Sequence, residues 1–172
     1  ALNIDKESPF YNRLKMLGKK EESQDLASLS QGTFIKYLME LISKNPDDDT
    51  RKIKKGEQIE PNEKLPFRQY FIDNQDPVIF KILLNLFNGV KDAFEEEWNN
   101  PNQYIISKPI GFGSVIKAYP TIHKIGVEKN KLTRDFFKDT FIDFKTHLNE
   151  KNISLTSEHF GSNEQARTKL AN

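Results

Sequence analysis

The chain has 172 residues, 36% of them apolar, with 26 basic and 25 acidic side chains and no cysteine. That length fits one domain whose core needs no staples, and the missing thiols exclude disulfides, thiolate metal sites and a cysteine nucleophile. The near balance of charge argues against a domain given over to nucleic acid, though a local basic patch remains open, and no apolar run reaches membrane-spanning length.

The first element is residues 8–17, which come close to alternating. Phe10, Leu14 and Met16 would face inward and Tyr11, Arg13 and Lys15 outward, giving an extended segment over about 9–17 that reads as an edge strand. The chain offers it no obvious partner, so the partner is expected upstream of Ala1. Ser28 or Ser30 then caps a helix carrying Phe34, Ile35, Leu38, Leu41 and Ile42, and this helix stops before Pro46. Residues 45–66 hold Asp47–Asp49, then Arg51–Lys55, then Pro61. Opposed charge blocks with few apolar anchors predict a mobile surface loop there.

Phe67, Tyr70 and Phe71 predict a short helix leading into the longest element. Asp76 is a good N-cap and Pro77 suits the first helical position. Behind them Val78, Ile79, Ile82, Leu83, Leu86, Phe87, Val90, Phe94 and Trp98 recur at steps of three and four, predicting a central amphipathic helix over about 77–98. Buried in full, that stripe contributes at most roughly 15–25 kcal/mol of gross transfer free energy. Asn99–Pro101 end it. A further helix starts near Gly111 and runs towards Ile125, with Pro120 kinking or interrupting it. Thr133 caps another, with Phe136, Phe137, Phe141, Phe144 and Leu148, and Ser162 with Gln165 matches a capping box before a tail helix. With 13 Phe in the chain, aromatic bulk should fill the core. The sum is a mainly α fold: one multi-helix domain over 1–172, orthogonal or bundle-like, around the central helix.

Five clusters invite a functional reading. Gly111-Phe112-Gly113-Ser114 stands where a helix begins, and its backbone N–H groups with Lys108 and Lys117 could hold a phosphate or nucleotide ligand. Dinucleotide and P-loop spacings are absent, and close backbone packing explains the glycines as well. Asp135, Asp139 and Asp143 fall on one helical face and could meet a hard cation, but a solvated face is the favoured reading. His123, His147 and His159 lack metal-ligand spacing, and the Asp143–His147 pair has no serine in a nucleophile motif. Tyr11, Arg13 and Lys15, with Lys19 and Lys20, form a small aromatic-basic set that could touch nucleic acid. Arg51–Lys55 is a second basic cluster, weakened by the neighbouring aspartates. No cofactor is implied.

Specific strings add a resemblance. Leu2-Asn3, followed by Ser8-Pro9-Phe10-Tyr11-Asn12-Arg13-Leu14-Lys15-Met16-Leu17-Gly18, resembles the segment after the conserved core of DGQHR-domain proteins. The central helix ending in Glu97-Trp98, then Lys108-Pro109-Ile110-Gly111-Phe112-Gly113, is similar to the C-terminal half of the same family. The naming motif Asp-Gly-Gln-His-Arg is absent, so the ParB/sulfiredoxin-like core would lie upstream of Ala1. The resemblance implies the C-terminal helical region of a bacterial, cytoplasmic protein linked to DNA modification or mobile-element defence. On that basis the expected function is a non-catalytic helical module, packed on its upstream core and contacting DNA or a protein partner. The alternative is a phosphate-binding domain using the Gly111–Gly113 loop.

Overall fold

Trp98, Tyr119, Phe67, Phe87, Phe94, Phe112 and Phe137 are the bulkiest side chains sealed from solvent, and the chain is wound around them. The computed structural model describes residues 2–16, 26–160 and 164–171. Two short strands, β1 (Leu14–Lys15) and β2 (Leu29–Ser30), join α1 (Gln31–Met39), α2 (Pro46–Lys54), α3 (Arg68–Ile72), α4 (Asp76–Ala93) and α5 (Glu95–Asn99). They are followed by α6 (Pro109–Glu128), α7 (Arg134–Glu150), α8 (Ser157–Phe160) and α9 (Glu164–Ala171). The fold is mainly α, as the periodicity predicts, and one cluster of buried apolar side chains spans Leu2 to Leu170.

The N-terminal segment departs from its expected form. Backbone bonds of the turn type close Ser8 on Asp5, Tyr11 on Ser8 and Arg13 on Phe10, so only Leu14–Lys15 is extended. Its partner lies within the chain and not upstream: Leu14 pairs with Leu29 and Lys15 with Ser30 in a parallel ladder. Turns replace a longer strand because Phe10 must enter the core. Its ring meets Phe34, Phe87, Trp98 and Phe112 edge-on, with centroids 5.0–5.8 Å apart. Asn88 of α4 donates to Glu7 O at 3.1 Å and fixes the same segment.

Residues 46–54 form a helix where a mobile loop is expected. Asn45 caps it, its side chain accepting from Asp48 N, and Pro46 opens it. The charge blocks are its dipole complement, with Asp47–Asp49 in the first turn and Arg51, Lys52 and Lys54 in the last. No residue of α2 is buried, and the helix is tied down by charge. Arg68 of α3 forms a bidentate pair with Asp49 and donates to Ile42 O and Glu60 O, while Ser43 donates to Asp49.

The central helix begins one residue early, with Gln75 at the cap position, and stops at Phe94 (φ −121°, ψ 45°) instead of running on to Trp98. Lys145 of α7 donates to Ala93 O at 3.3 Å and to Glu97 Oε2 at 2.9 Å, so a side chain meets the helical carbonyl at the break. Helices α4 and α7 run side by side in one direction: Asn85 donates to Leu132 O, and Phe94 meets Phe144. Between those points a Cβ on Gly89 would lie 2.7 Å from both Lys138 N and Phe137 Cβ, so the glycine permits the close approach. Helix α6 continues unbroken through Pro120. Caps at Ser30 and Thr133 form as expected, accepting from Thr33 N and Phe136 N. Ser162 of the expected capping box lies outside the described residues.

Candidate functional site

The residues chosen for phosphate binding form a packing joint. Pro109 and Ile110 open α6, so Gly111 and Gly113 are helical and buried. A Cβ on Gly111 would come within 2.5 Å of Ile106 Cα, and one on Gly113 within 2.8 Å of Arg167 Nε. Ser114 is buried, its hydroxyl donating to Ile110 O at 2.8 Å and lying 3.1 Å from Arg167 O. Lys117 donates to Thr168 at 2.6 Å, and Lys108 precedes the helix at its cap position. The open, phosphate-accepting glycine loop is therefore not formed. Chain contacts press on both glycines, while Gly111, Ser114 and Lys117 also line one wall of a recess of about 470 Å³ beside α6.

Of the aromatic-basic set, the structure describes Tyr11, Arg13 and Lys15. Tyr11 is exposed, but Arg13 turns inward, donating to Trp98 O at 3.0 Å and to Asn99 Oδ1 at 2.6 Å. Burial lowers its pKa from the ordinary arginine value. Arg13 fastens the N-terminal segment to α5 and is half-buried there. Lys15 lies in β1, while Lys19 and Lys20 fall outside the described residues.

Asp135, Asp139 and Asp143 all point to solvent from α7. Among the described residues no group of three or more His, Asp or Glu is placed to hold a metal ion. His147 and His159 are exposed. His123 is half-buried on α6, its ring 5.4 Å from that of Tyr119. Tyr119 Oη and His123 Nε2 are both buried without a hydrogen-bond partner among the described residues. Desolvation lowers the His123 pKa and raises that of Tyr119, so both groups stay neutral at pH 7. Among the described residues no nucleophile is tied to either.

Among the described residues, two recesses have the most apolar linings. One, of about 470 Å³, lies between α6, α7 and α9, lined by Val115, Ala118, Ile122, Phe141, Phe144 and Leu170. The other, of about 440 Å³, lies between the N-terminal segment, α1 and α4, with Leu2, Ile4, Met16, Ile35, Phe80 and Leu83 on its walls. Its rim is exposed, with Ile4 at 77% and Ile35 at 49% of full accessibility.

Comparison with protein-family models, curated proteins and solved structures finds no match to this chain.

The second recess was only partly visible in the sequence. Ile35 falls within an apolar helical pattern, yet Phe34, Leu38, Leu41 and Ile42 already fill the inward arc, and a residue one step from Phe34 turns about 100° away. That offset was the available signal. The buried arginines Arg68 and Arg167 carried none, because their partners Asp49 and Glu40 lie 19 and 127 residues away. Among the described residues no helix is long and apolar enough to cross a membrane.

Proposed function

We propose that this chain is a non-catalytic helical module of a DGQHR-type protein, in a bacterial DNA-modification or defence setting, that packs on the core preceding it. The single observation that carries the reading is the apolar recess lined by Leu2 and Ile4, whose rim holds the exposed Ile4 and Ile35. Burying such a rim against a partner removes apolar surface from water at about 25 cal/mol per Å². Further support comes from the interior, where the buried arginines Arg68 and Arg167 are matched to carboxylates and carbonyls of the fold itself. DNA contact would then fall chiefly to the joined protein, and a cytoplasmic location follows from the same reading.

The test starts from the parent gene. The reading requires Asp-Gly-Gln-His-Arg upstream of Ala1, and its absence there overturns it. With the upstream core expressed separately, calorimetric titration against this chain should show saturable binding, weakened at least tenfold by Ile35→Glu. An Ile35→Glu chain that folds and binds as tightly as the parent also overturns the assignment of the rim. Gel-shift retention of DNA should be weak for this chain and stronger when the core is joined to it.

A further inference from the structure

We infer that α9 is a strap that opens from α6 while the α4–α7 core stays folded. Its anchorage differs in kind from that of every long helix. Its eight residues bury Ala166, Leu170 and the side chain of Arg167, whereas α4 buries Ile79, Ile82, Leu83, Leu86, Phe87, Val90 and Ala93. A helix of that length is marginal by itself in water and holds its shape only by docking.

Docking centres on Arg167. Its Nε donates to Gly113 O at 2.9 Å, and its other nitrogens meet Glu40, the residue that closes α1, at 3.1 and 2.5 Å. Its guanidinium also lies over the Tyr37 ring, 4.3 Å from the centroid. The Ser114 hydroxyl and the Lys117 ammonium add contacts to Arg167 O and Thr168. The arginine is sealed, but the Glu40 side chain keeps 43% of its accessibility. On opening, both charges regain water with little rearrangement of Glu40, so much of the electrostatic loss is recovered by solvation. The buried apolar side chains that α9 itself contributes are Ala166 and Leu170.

Opening also has a consequence for shape. Leu170 and Ala171 bound the 470 Å³ recess, and Ser114 and Val115 of α6 line it. With α9 displaced, that recess runs on along α6 past Gly113 as one longer apolar groove. Here α9 is the occupant of the groove, and a partner helix would have to compete with it.

Hydrogen–deuterium exchange on the whole chain tests this. Amides of residues 166–171 should exchange at least 100-fold faster than those of residues 82–90 under native conditions. Glu40→Gln leaves Arg167 without its counter-charge, and Gly113→Ala pushes a methyl group at Arg167 from the other side. Each should speed exchange in α9 at least tenfold while leaving α4 unchanged. Equal protection of α9 and α4 in the unaltered protein overturns the inference, whatever the variants do. So does a variant that accelerates both helices alike.

Discussion

Helices α4 and α2 are held in place by opposite means. Helix α4 is apolar along one side, lies against α7 at the Gly89 crossing and carries Phe87 into the aromatic cluster, stacked on Phe112 with centroids 4.9 Å apart. Helix α2 has no fully buried residue. It is shaped by its cap and charge order and fixed by one carboxylate, Asp49, on the buried Arg68. Burial acts without direction and grows with area, so α4 tolerates small shifts. The α2 clamp depends on one geometry and fails when one partner is lost.

The largest effect should come from the first region. Phe87→Ala removes a ring with no accessible surface from the centre of the cluster and should cost about 3–5 kcal/mol, read as a lower urea midpoint with an unchanged slope. A loss under 1 kcal/mol would show that the aromatic cluster does not dominate.

Asp49→Asn tests the second region. It leaves the buried Arg68 charge without its counter-ion and should cost about 3 kcal/mol, felt first as faster amide exchange in residues 46–54 with α4 unaffected. The Asp49 pKa is lowered, chiefly by the hydrogen bond from Arg68. Its folded value thus lies below its unfolded one. The clamp is fully present above about pH 4 and is lost as the pH falls further, so α2 should open in acid before the core melts. Simultaneous loss of α2 and α4 would erase the distinction. The exposed pairs of Asp48 with Arg51 and Lys52 should contribute little.

Smaller effects sharpen the contrast. Ser30→Ala deletes the acceptor for Thr33 N and should cost about 1 kcal/mol, restored by Asp at the same position. His123 supplies the smallest term, bounded by one proton. Burial lowers its folded pKa, so the unfolded chain takes up the proton first as pH falls below about 6.5. Stability should therefore decline with acid through that window, and His123→Phe should flatten the slope there. An identical slope in the variant would assign the decline to another group.

The sequence by itself determined the local elements. Periodicity placed the stripe from Val78 to Trp98, although Val78 is exposed and the helix breaks at Phe94, and side-chain chemistry placed the Ser30 and Thr133 caps, because both depend on residues within a turn or two. The signals for α2 were also local: Asn45, Pro46, acids first and bases last. The thin apolar content of residues 45–66 outweighed them, which favoured a loop. Only the tertiary structure decided the rest. Gly111 and Gly113 became a joint because Ile106 and Arg167 press on them. Arg13 turned inward because Trp98 and Asn99 offered oxygens, and Leu14 paired with Leu29. Each of these depends on residues brought together by the packing of elements distant in sequence, and contact at that range leaves no periodic trace in the chain.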